Sequence, residues 1–406
     1  MYMTIFSGKH IILGVTGSIA AYKAADLASK LTQQGAEVDV ILTPGAEKFI
    51  TPLTFQSVTG RKTYTDADLW GGQAHILHVG LGHEADLLVI APCTANTLAK
   101  LAHGLSDTLL TITALAANCP IMVAPAMDAG MYEHPATQAN VKTLVERGIR
   151  FIGPAEGRMA SGLSGRGRMV EPAEILGNIR LGLARKGRLA GRHFVVTAGG
   201  TQEPIDPVRY ITNRSSGKQG FALAQAALDA GAAVTLISHP TGLTAPVGAN
   251  LVEVRTAQEM LDAVLAACET ADGLVMAAAV ADFRVKAVAK HKLKKRDGIP
   301  QIELTAAPDV LSTVARHRGG WSNLKVVVGF AAESRDLLEN ATSKLTSKKL
   351  DLIAANDISA SDAGFAVDDN RITLLYADGR HEILPLMPKT EAAGAIIARA
   401  AEFVER

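Results

Sequence analysis

This chain lacks any excess of charge, has few cysteines and holds no long apolar run. Its 406 residues carry 41 basic and 40 acidic side chains, a net charge of +1. That balance gives no reason to expect nucleic acid or an anionic membrane as partner, so any anion-binding site must be local. The three cysteines, Cys93, Cys119 and Cys268, lie far apart and match no zinc-ligand spacing. They suit a reducing cytosol better than a secreted disulfide framework. No apolar stretch reaches the ~20 uncharged residues that a membrane helix needs. The run at the start ends in a Gly-rich turn rather than a cleavage site, and reads as a first strand, not a signal peptide. Low-complexity segments and short repeats are absent as well. A cytoplasmic protein is the expectation.

Hydrophobic residues make up 48% of the chain, and a domain typically takes roughly 100–200 residues, so two or three packed domains are expected. The chain begins in the same way twice. Ile11 to Val15 is a short apolar run, followed by the turn Thr16-Gly17-Ser18, a helical pattern from Ile19 to Gln34 and a second strand from Val38 to Leu42. The pattern restarts with a strand from Phe194 to Thr197, the turn Ala198-Gly199-Gly200, a helix from Gly220 to Ala230 and a strand from Ala233 to Ile237. Further buried strands are read at Leu87 to Ala91, Ile121 to Ala124, Gly273 to Ala277, Val326 to Phe330 and Leu352 to Ala355. These units predict an α/β protein with two open, mostly parallel, doubly wound (Rossmann-like) sheets. The boundary is placed near the basic stretch Arg185 to Arg188, giving domains 1–188 and 189–406.

In the first half, Gly14-Val15-Thr16-Gly17-Ser18 sits between a strand and a helix, where backbone N–H groups and the Ser18 hydroxyl can hold a phosphate. It is not the G-x-G-x-x-G dinucleotide fingerprint. Thr43, the run Ala91 to Asn96 and Ser106-Asp107 fall where other strand ends should meet this turn. His75, His78 and His83 have helical spacing, but no cysteine or carboxylate cluster completes a metal set beside them. The turn Gly17-Ser18, the His78-x7-Asp86 spacing, Ala91-Pro92-x-Thr94-Ala95-Asn96 and the run Pro125-Ala126-Met127-Asp128-Ala129-Gly130-Met131-Tyr132 occur in an order that resembles the flavin-dependent cysteine decarboxylases, over about residues 8–180. The resemblance implies a flavodoxin-like fold with FMN held by Gly17, Ser18, Thr43, Thr94, Asn96 and Ser106. It implies that FMN oxidises the substrate's cysteine by taking hydride from the carbon that bears sulfur, which prepares loss of CO2. His78 would be the acid/base group, as an imidazole suits proton transfer near neutral pH. Two positions depart from the family pattern. Asp128 stands where the family usually has an asparagine that binds the substrate carboxylate, so it would need a proton or a cation beside it. Ser161, in the glycine-rich flap Met159 to Met169, stands where well-known members have a cysteine that protonates the enethiol intermediate.

The second half holds a long loop, Thr197 to Lys218, dense in anion-binding groups. Its Ser216-Gly217-Lys218 is not a P-loop, because Gln219 replaces Ser/Thr and the upstream glycine is missing. Ala277 to Phe283, the basic run Lys290 to Arg296, Pro308-Asp309-Val310-Leu311, Gly329 to Ser334 and Lys344 to Lys348 follow. The series resembles the phosphopantothenoylcysteine synthetase (phosphopantothenate–cysteine ligase) family over about residues 190–400. That implies a ligation of cysteine to 4′-phosphopantothenate, with CTP cleaved to CMP and pyrophosphate through an acyl-cytidylate. Lys292 would stabilise the phosphorus under attack, with Mg2+ carried on the CTP phosphates rather than by protein ligands. Asn213 would hold the acyl intermediate and Arg209 would orient it. Ala279, Asp282, Pro308, Asp309, Val310, Leu311, Phe330, Lys344 and Lys348 would line the nucleotide site, Phe330 as the wall for the base. Together the resemblances imply a bifunctional enzyme of coenzyme A biosynthesis. The alternative is an active ligase with an impaired or altered-product flavin half. The families imply a homo-oligomer, trimer-based in the flavin half and dimeric in the ligase half.

Overall fold

The computed structural model describes residues 4–70, 74–158, 162, 164–295, 298–333, 336–357 and 369–405. The chain divides into two compact units, one ending at Leu183 and the other starting at Ala184.

In the first unit the chain order is β1 (His10–Val15), α1 (Ala21–Gln33), β2 (Glu37–Leu42), α2 (Pro52–Thr59), β3 (Thr63–Tyr64) and α3 (Ala74–Glu84). Then come β4 (Leu87–Cys93), α4 (Ala95–His103), α5 (Leu109–Ala116), β5 (Ile121–Pro125), α6 (Ala129–Glu133), α7 (Pro135–Glu146) and β6 (Arg150–Phe151). A hairpin, β7 (Ala155–Arg158) with β8 (Ser164–Arg168), and the helix α8 (Pro172–Ala184) complete it. The sheet order is β3-β2-β1-β4-β5-β6, parallel throughout. With the two-residue edge strand β3 set aside this is the flavodoxin-like order, and the order reverses between β1 and β4. A parallel sheet is covered on both faces, so its strands need unbroken apolar runs rather than alternation. Ile11, Leu13, Leu88, Val89 and Ile90 are all fully buried, each such side chain contributing about 1.5–3 kcal/mol. Threonines start the helices nearest the crevice. Thr94 caps α4 by accepting from Thr97 N, and Thr108 forms a capping box with Thr111 on α5.

The second unit runs β9 (His193–Ala198), β10 (Gln202–Pro204), β11 (Tyr210–Thr212), α9 (Lys218–Asp229), β12 (Ala233–Ser238), β13 (Ala249–Glu253), α10 (Ala257–Cys268) and β14 (Gly273–Met276). It continues with β15 (Phe283–Val285), β16 (Leu304–Ala306), α11 (Val310–His317), β17 (Val326–Glu333), α12 (Leu337–Ser347), β18 (Leu352–Asp357), β19 (Asp369–Asn370), β20 (Ile372–Tyr376), β21 (His381–Ile383) and α13 (Lys389–Val404). The main sheet is ordered β13-β12-β9-β14-β17-β18-β20-β21, and only the pairs that involve β20 are antiparallel. The reversal lies between β9 and β14, the counterpart of β1 and β4. Two short antiparallel ribbons, β10–β11 and β15–β16, stand apart from this sheet.

Candidate active sites

Each unit has a cavity at the carboxyl ends of its strands, where the order reverses. In the first unit it measures about 1060 Å³ and is walled by the turn after β1, the loop after β2, the start of α4 and the loop after β5. Gly17, Ser18, Thr43, Thr94, Asn96 and Asp128 all line it. A buried hydroxyl holds its two sides together: Thr16 Oγ1 donates to Pro92 O at 2.7 Å and accepts from Thr94 N at 3.1 Å. Ser18 Oγ accepts from Ala20 N at 3.3 Å as the chain turns into α1. Gly17 lies flat on the loop after β2, and a Cβ there would sit 2.9 Å from the Gly45 carbonyl carbon. Backbone thus replaces side chains where a phosphate would be cradled.

Opposite, β8 presses on the Met127–Ala129 loop. Met127 N donates to Gly167 O at 3.0 Å, and a Cβ on Gly167 would come within 2.4 Å of Met127 O. Asp128 caps α6, its Oδ1 accepting from Gly130 N at 3.1 Å. Lys23, Arg158 and Arg168 line the same cavity as Asp128. Lys23 donates to Glu171 at 2.8 Å, and Arg168 also donates to it. Those hydrogen bonds hold the Glu171 carboxyl below its ordinary range. Lys23, Gly45, Arg158 and Glu171 were not read from the sequence, since nothing in their local spacing marks them.

Three predicted residues stand elsewhere. Ser106 is exposed in the loop after α4 and does not line the cavity. His78 sits half-buried on α3, also outside the lining, and its buried Nδ1 has no hydrogen-bond partner among the described residues. Ser161 lies outside the described residues.

The cavity of the second unit measures about 790 Å³. Asn213, Ala279, Asp282, Pro308, Asp309, Val310, Leu311, Phe330, Lys344 and Lys348 all line it. Asn213 Nδ2 donates to Ala279 O at 3.3 Å and Val280 O at 3.1 Å, tying the loop after β11 to the loop after β14. Thr197 Oγ1 accepts from Ala278 N at 3.1 Å and donates to Met276 Sδ at 3.3 Å. Asp309 caps α11 through Ser312 N at 2.9 Å and takes a hydrogen bond from Lys348. Burial raises the Asp309 carboxyl, but Lys348 and Ser312 outweigh it and hold the group below its ordinary value. Lys344 Nζ donates to Phe330 O at 2.7 Å, tying α12 to the strand that bears the aromatic wall.

Arg209 and Lys292 do not line this cavity. Lys292 is exposed. Arg209 pairs with Asp206, its terminal nitrogen 2.8 Å from Oδ2, and donates to the Leu293 carbonyl. Gln219, Asn356, Asn370 and Lys389 line the cavity without having been anticipated. They come from four distant stretches, so no local motif announces them. Among the described residues, no group of three or more His, Cys, Asp or Glu side chains is placed to hold a metal ion. No helix among them is long and apolar enough to cross a membrane.

Comparison with known proteins finds relatives for both halves. Residues 3–181 match the family model described as "Flavoprotein", and residues 189–404 match "DNA/pantothenate metabolism flavoprotein C-terminal domain". The coenzyme A biosynthesis bifunctional protein CoaBC of Bacillus subtilis (strain 168) is 43% identical over 396 residues, covering 97% of each chain. CoaBC of Mycobacterium tuberculosis (strain ATCC 25618 / H37Rv) is 46% identical over 408 residues, covering 98% of this chain and 97% of the relative. A crystal structure of the C-terminal domain of CoaBC aligns with a TM-score of 0.47 at 37% identity, over 54% of this chain and 99% of that one. With identity of this order over nearly its whole length, the chain belongs to the family of bifunctional coenzyme A biosynthesis proteins, CoaBC.

Proposed function

We propose that the chain carries out two consecutive steps of coenzyme A biosynthesis: CTP-dependent ligation of cysteine to 4′-phosphopantothenate in residues 189–406, then FMN-dependent decarboxylation to 4′-phosphopantetheine in residues 1–188. The observation that carries this reading is that each half gathers most of its family-matched residues around its own cavity at the strand-order reversal.

In the ligase half a carboxylate oxygen of phosphopantothenate attacks the α-phosphorus of CTP and pyrophosphate leaves. The cysteine amine then attacks the acyl carbon of the cytidylate, and CMP leaves. Mg2+ travels on the triphosphate. Asn213, fixed by its bonds to Ala279 O and Val280 O, is placed to hold the acyl group. Phe330 walls the base, and Lys344 and Lys348 face the phosphates. Arg209 and Lys292 lie outside this chain's own cavity, and we assign both to the cavity of the other protomer in a ligase dimer.

In the flavin half the residues fit FMN. The Gly17–Gly45 contact leaves a backbone cradle that a Cβ would fill, and the start of α1 presents N–H groups to a phosphate. When bound, FMN supplies the two-electron oxidation that precedes loss of CO2. Arg158 and Arg168 offset the charge of Asp128 and draw in the acidic substrate. His78 moves the proton, reaching a neighbouring protomer's cavity in a trimer, which gives its unmatched Nδ1 a role in assembly or in catalysis. We place the enzyme in the cytoplasm.

One reaction tests the whole. The protein is mixed with phosphopantothenate, cysteine, CTP and Mg2+, and products are identified by mass. CMP, pyrophosphate, CO2 and phosphopantetheine are expected. Absence of CMP would overturn the ligase assignment. Accumulation of phosphopantothenoylcysteine by a protein that holds FMN would overturn the decarboxylase assignment alone.

A further inference from the structure

Three carboxamides run in series along one wall of the ligase cavity. Gln219 Nε2 donates to the backbone carbonyl of Lys389 at 3.3 Å. Gln219 Oε1 accepts from Asn370 Nδ2 at 2.8 Å, and Asn370 Oδ1 accepts from Asn356 Nδ2 at 3.2 Å. A backbone carbonyl can only accept, so the Lys389 end sets the direction of the whole series. Flipping any one amide would bring two donors or two acceptors face to face. Asn356 is therefore left with its oxygen as the terminal group. That Oδ1 is buried, and among the described residues no donor reaches it. Buried acceptors without a donor are few in native proteins and ask for an explanation.

The place of Asn356 supplies one. It lies on β18 beside Ala332 of β17, two positions past Phe330, and lines the same cavity. We infer that Asn356 is a specificity-determining residue of the ligase, its amide oxygen accepting an N–H from a bound substrate. The charge of the cavity selects the kind of donor. Five cationic side chains line it against two carboxylates, and one of these, Asp309, already bonds to Lys348. A free ammonium enters such ground unfavourably, whereas an anionic substrate that carries a neutral amino or amide N–H is drawn in. This rests on the ligase reading above, under which two substrates bear such a group: the amino group of the cytosine base and the amide N–H of phosphopantothenate. The Gln219–Asn370 series gives the site its sense. It stops Asn356 from turning its NH2 outward, so a carbonyl-bearing analogue at the same spot meets oxygen with oxygen.

The test uses the full-length FMN-loaded protein, with Asn356→Ala, Asn356→Asp and Gln219→Leu beside the parent. Steady-state constants are measured for CTP, UTP, phosphopantothenate and cysteine. Loss of one neutral hydrogen bond predicts that Asn356→Ala raises one KM by about three- to tenfold, with kcat within about twofold and the cysteine KM unmoved. Asn356→Asp, which keeps an oxygen in place, recovers part of the loss. If the cytosine amino group is the donor, the preference for CTP over UTP shrinks in Asn356→Ala, and also in Gln219→Leu, where the amide is released to flip. If the pantothenate amide is the donor, the phosphopantothenate KM rises and the nucleotide preference stands. Gln219→Leu carries the test if Asn356→Ala does not fold. Parental KM values for both substrates and an unaltered nucleotide preference would overturn the inference while leaving the ligase reading intact. A parent that forms no amide with any nucleotide would overturn both.

Discussion

Asp206 and Arg209 grip the backbone of a single residue, Leu293, between them. Asp206 Oδ2 accepts from Leu293 N at 3.1 Å, Arg209 donates to Leu293 O, and the two side chains pair with each other through Nε at 3.1 Å. Oδ1 of the same aspartate accepts from Val208 N at 2.8 Å and Arg209 N at 2.9 Å. The loop that bears Arg209 and the basic stretch that bears Lys292 are thereby one body.

Asp206→Asn should break that body while sparing the cavity. Its NH2 would face the Leu293 N–H and the guanidinium, donor against donor. We expect CMP release to fall by about tenfold or more, the scale of a lost hydrogen bond to a charged group, with nucleotide affinity and FMN content held. Lys292→Gln should show the same pattern more severely. Burial raises the Asp206 carboxyl, but its backbone donors and Arg209 outweigh it and bring it to about 2. A lowered carboxyl stabilises the fold above its ordinary pKa and loses that contribution only as pH falls toward the folded value. The clamp should therefore leave no titration in a rate profile between about pH 5 and 9. An acid limb that disappears in Asp206→Asn would contradict this account.

Gly17→Ala should empty the flavin site. The added methyl would sit 2.9–3.0 Å from Gly45 backbone atoms, and such overpacking costs about 1–3 kcal/mol. FMN affinity should drop by roughly tenfold or more, with ligase turnover unchanged. Flavin absorbance per protein after gel filtration decides it, and full retention of FMN would show that the Gly17–Gly45 contact yields easily.

His78→Asn and Ser161 separate the steps of the flavin half. His78→Asn should slow CO2 release by about 100-fold or more, the usual scale of general acid–base catalysis, without loss of FMN. If Ser161, or a water it positions, delivers the last proton, the product is phosphopantetheine and the flavin returns oxidised. Lasting flavin bleaching with a product two mass units light, by about 2 Da for the two missing hydrogens, would show that the serine does not replace a thiol.

A stability cluster lies at the opposite end of the first sheet. His10 bonds to Asp39 at 2.7 Å, and Arg61 Nε donates to the same carboxylate at 2.8 Å. The Asp39 hydrogen bond is the largest influence on His10 and raises it above 6.5. A raised histidine adds stability below its unfolded pKa and loses it as pH climbs through the folded value. Asp39 is lowered, its burial being outweighed by His10 and Arg61, so its share is lost only in acid. His10→Gln should thus destabilise the flavin half by about 1–2 kcal/mol at pH 6 and by clearly less at pH 9. Flavin release on heating at the two pH values checks this, and equal losses would refute the linkage.

Strands with buried apolar runs were legible in the sequence because parallel sheets leave no polar face to blur them. The paired starts at Thr16 and Ala198 were legible because a strand must turn within a few residues to feed a helix. The ribbons β10–β11 and β15–β16 were not, since three-residue strands with exposed Tyr210, Phe283 and Leu304 carry no period. Ser106 was expected at the flavin crevice from its place in the order of motifs. The chain there instead turns Lys100 and Thr108 to the cavity, Lys100 reaching Asp107 at 2.8 Å, and leaves Ser106 exposed. Asn356, Asn370, Gln219 and Lys389 meet only through the tertiary fold, and no spacing along the chain encodes such a meeting.

Where strand order reverses, adjacent helices leave toward opposite faces, so the lips of the crevice rely on bonds between the loops that cross the seam. In both halves buried threonine hydroxyls cross the seam, Thr16 between β1 and Pro92-Thr94, and Thr197 between β9 and Met276-Ala278, with Thr201 reaching Ala281 beside it. Valine at either position would keep the volume and remove the stitch. A hydroxyl buried in each seam thus helps to hold the ligand mouth above it.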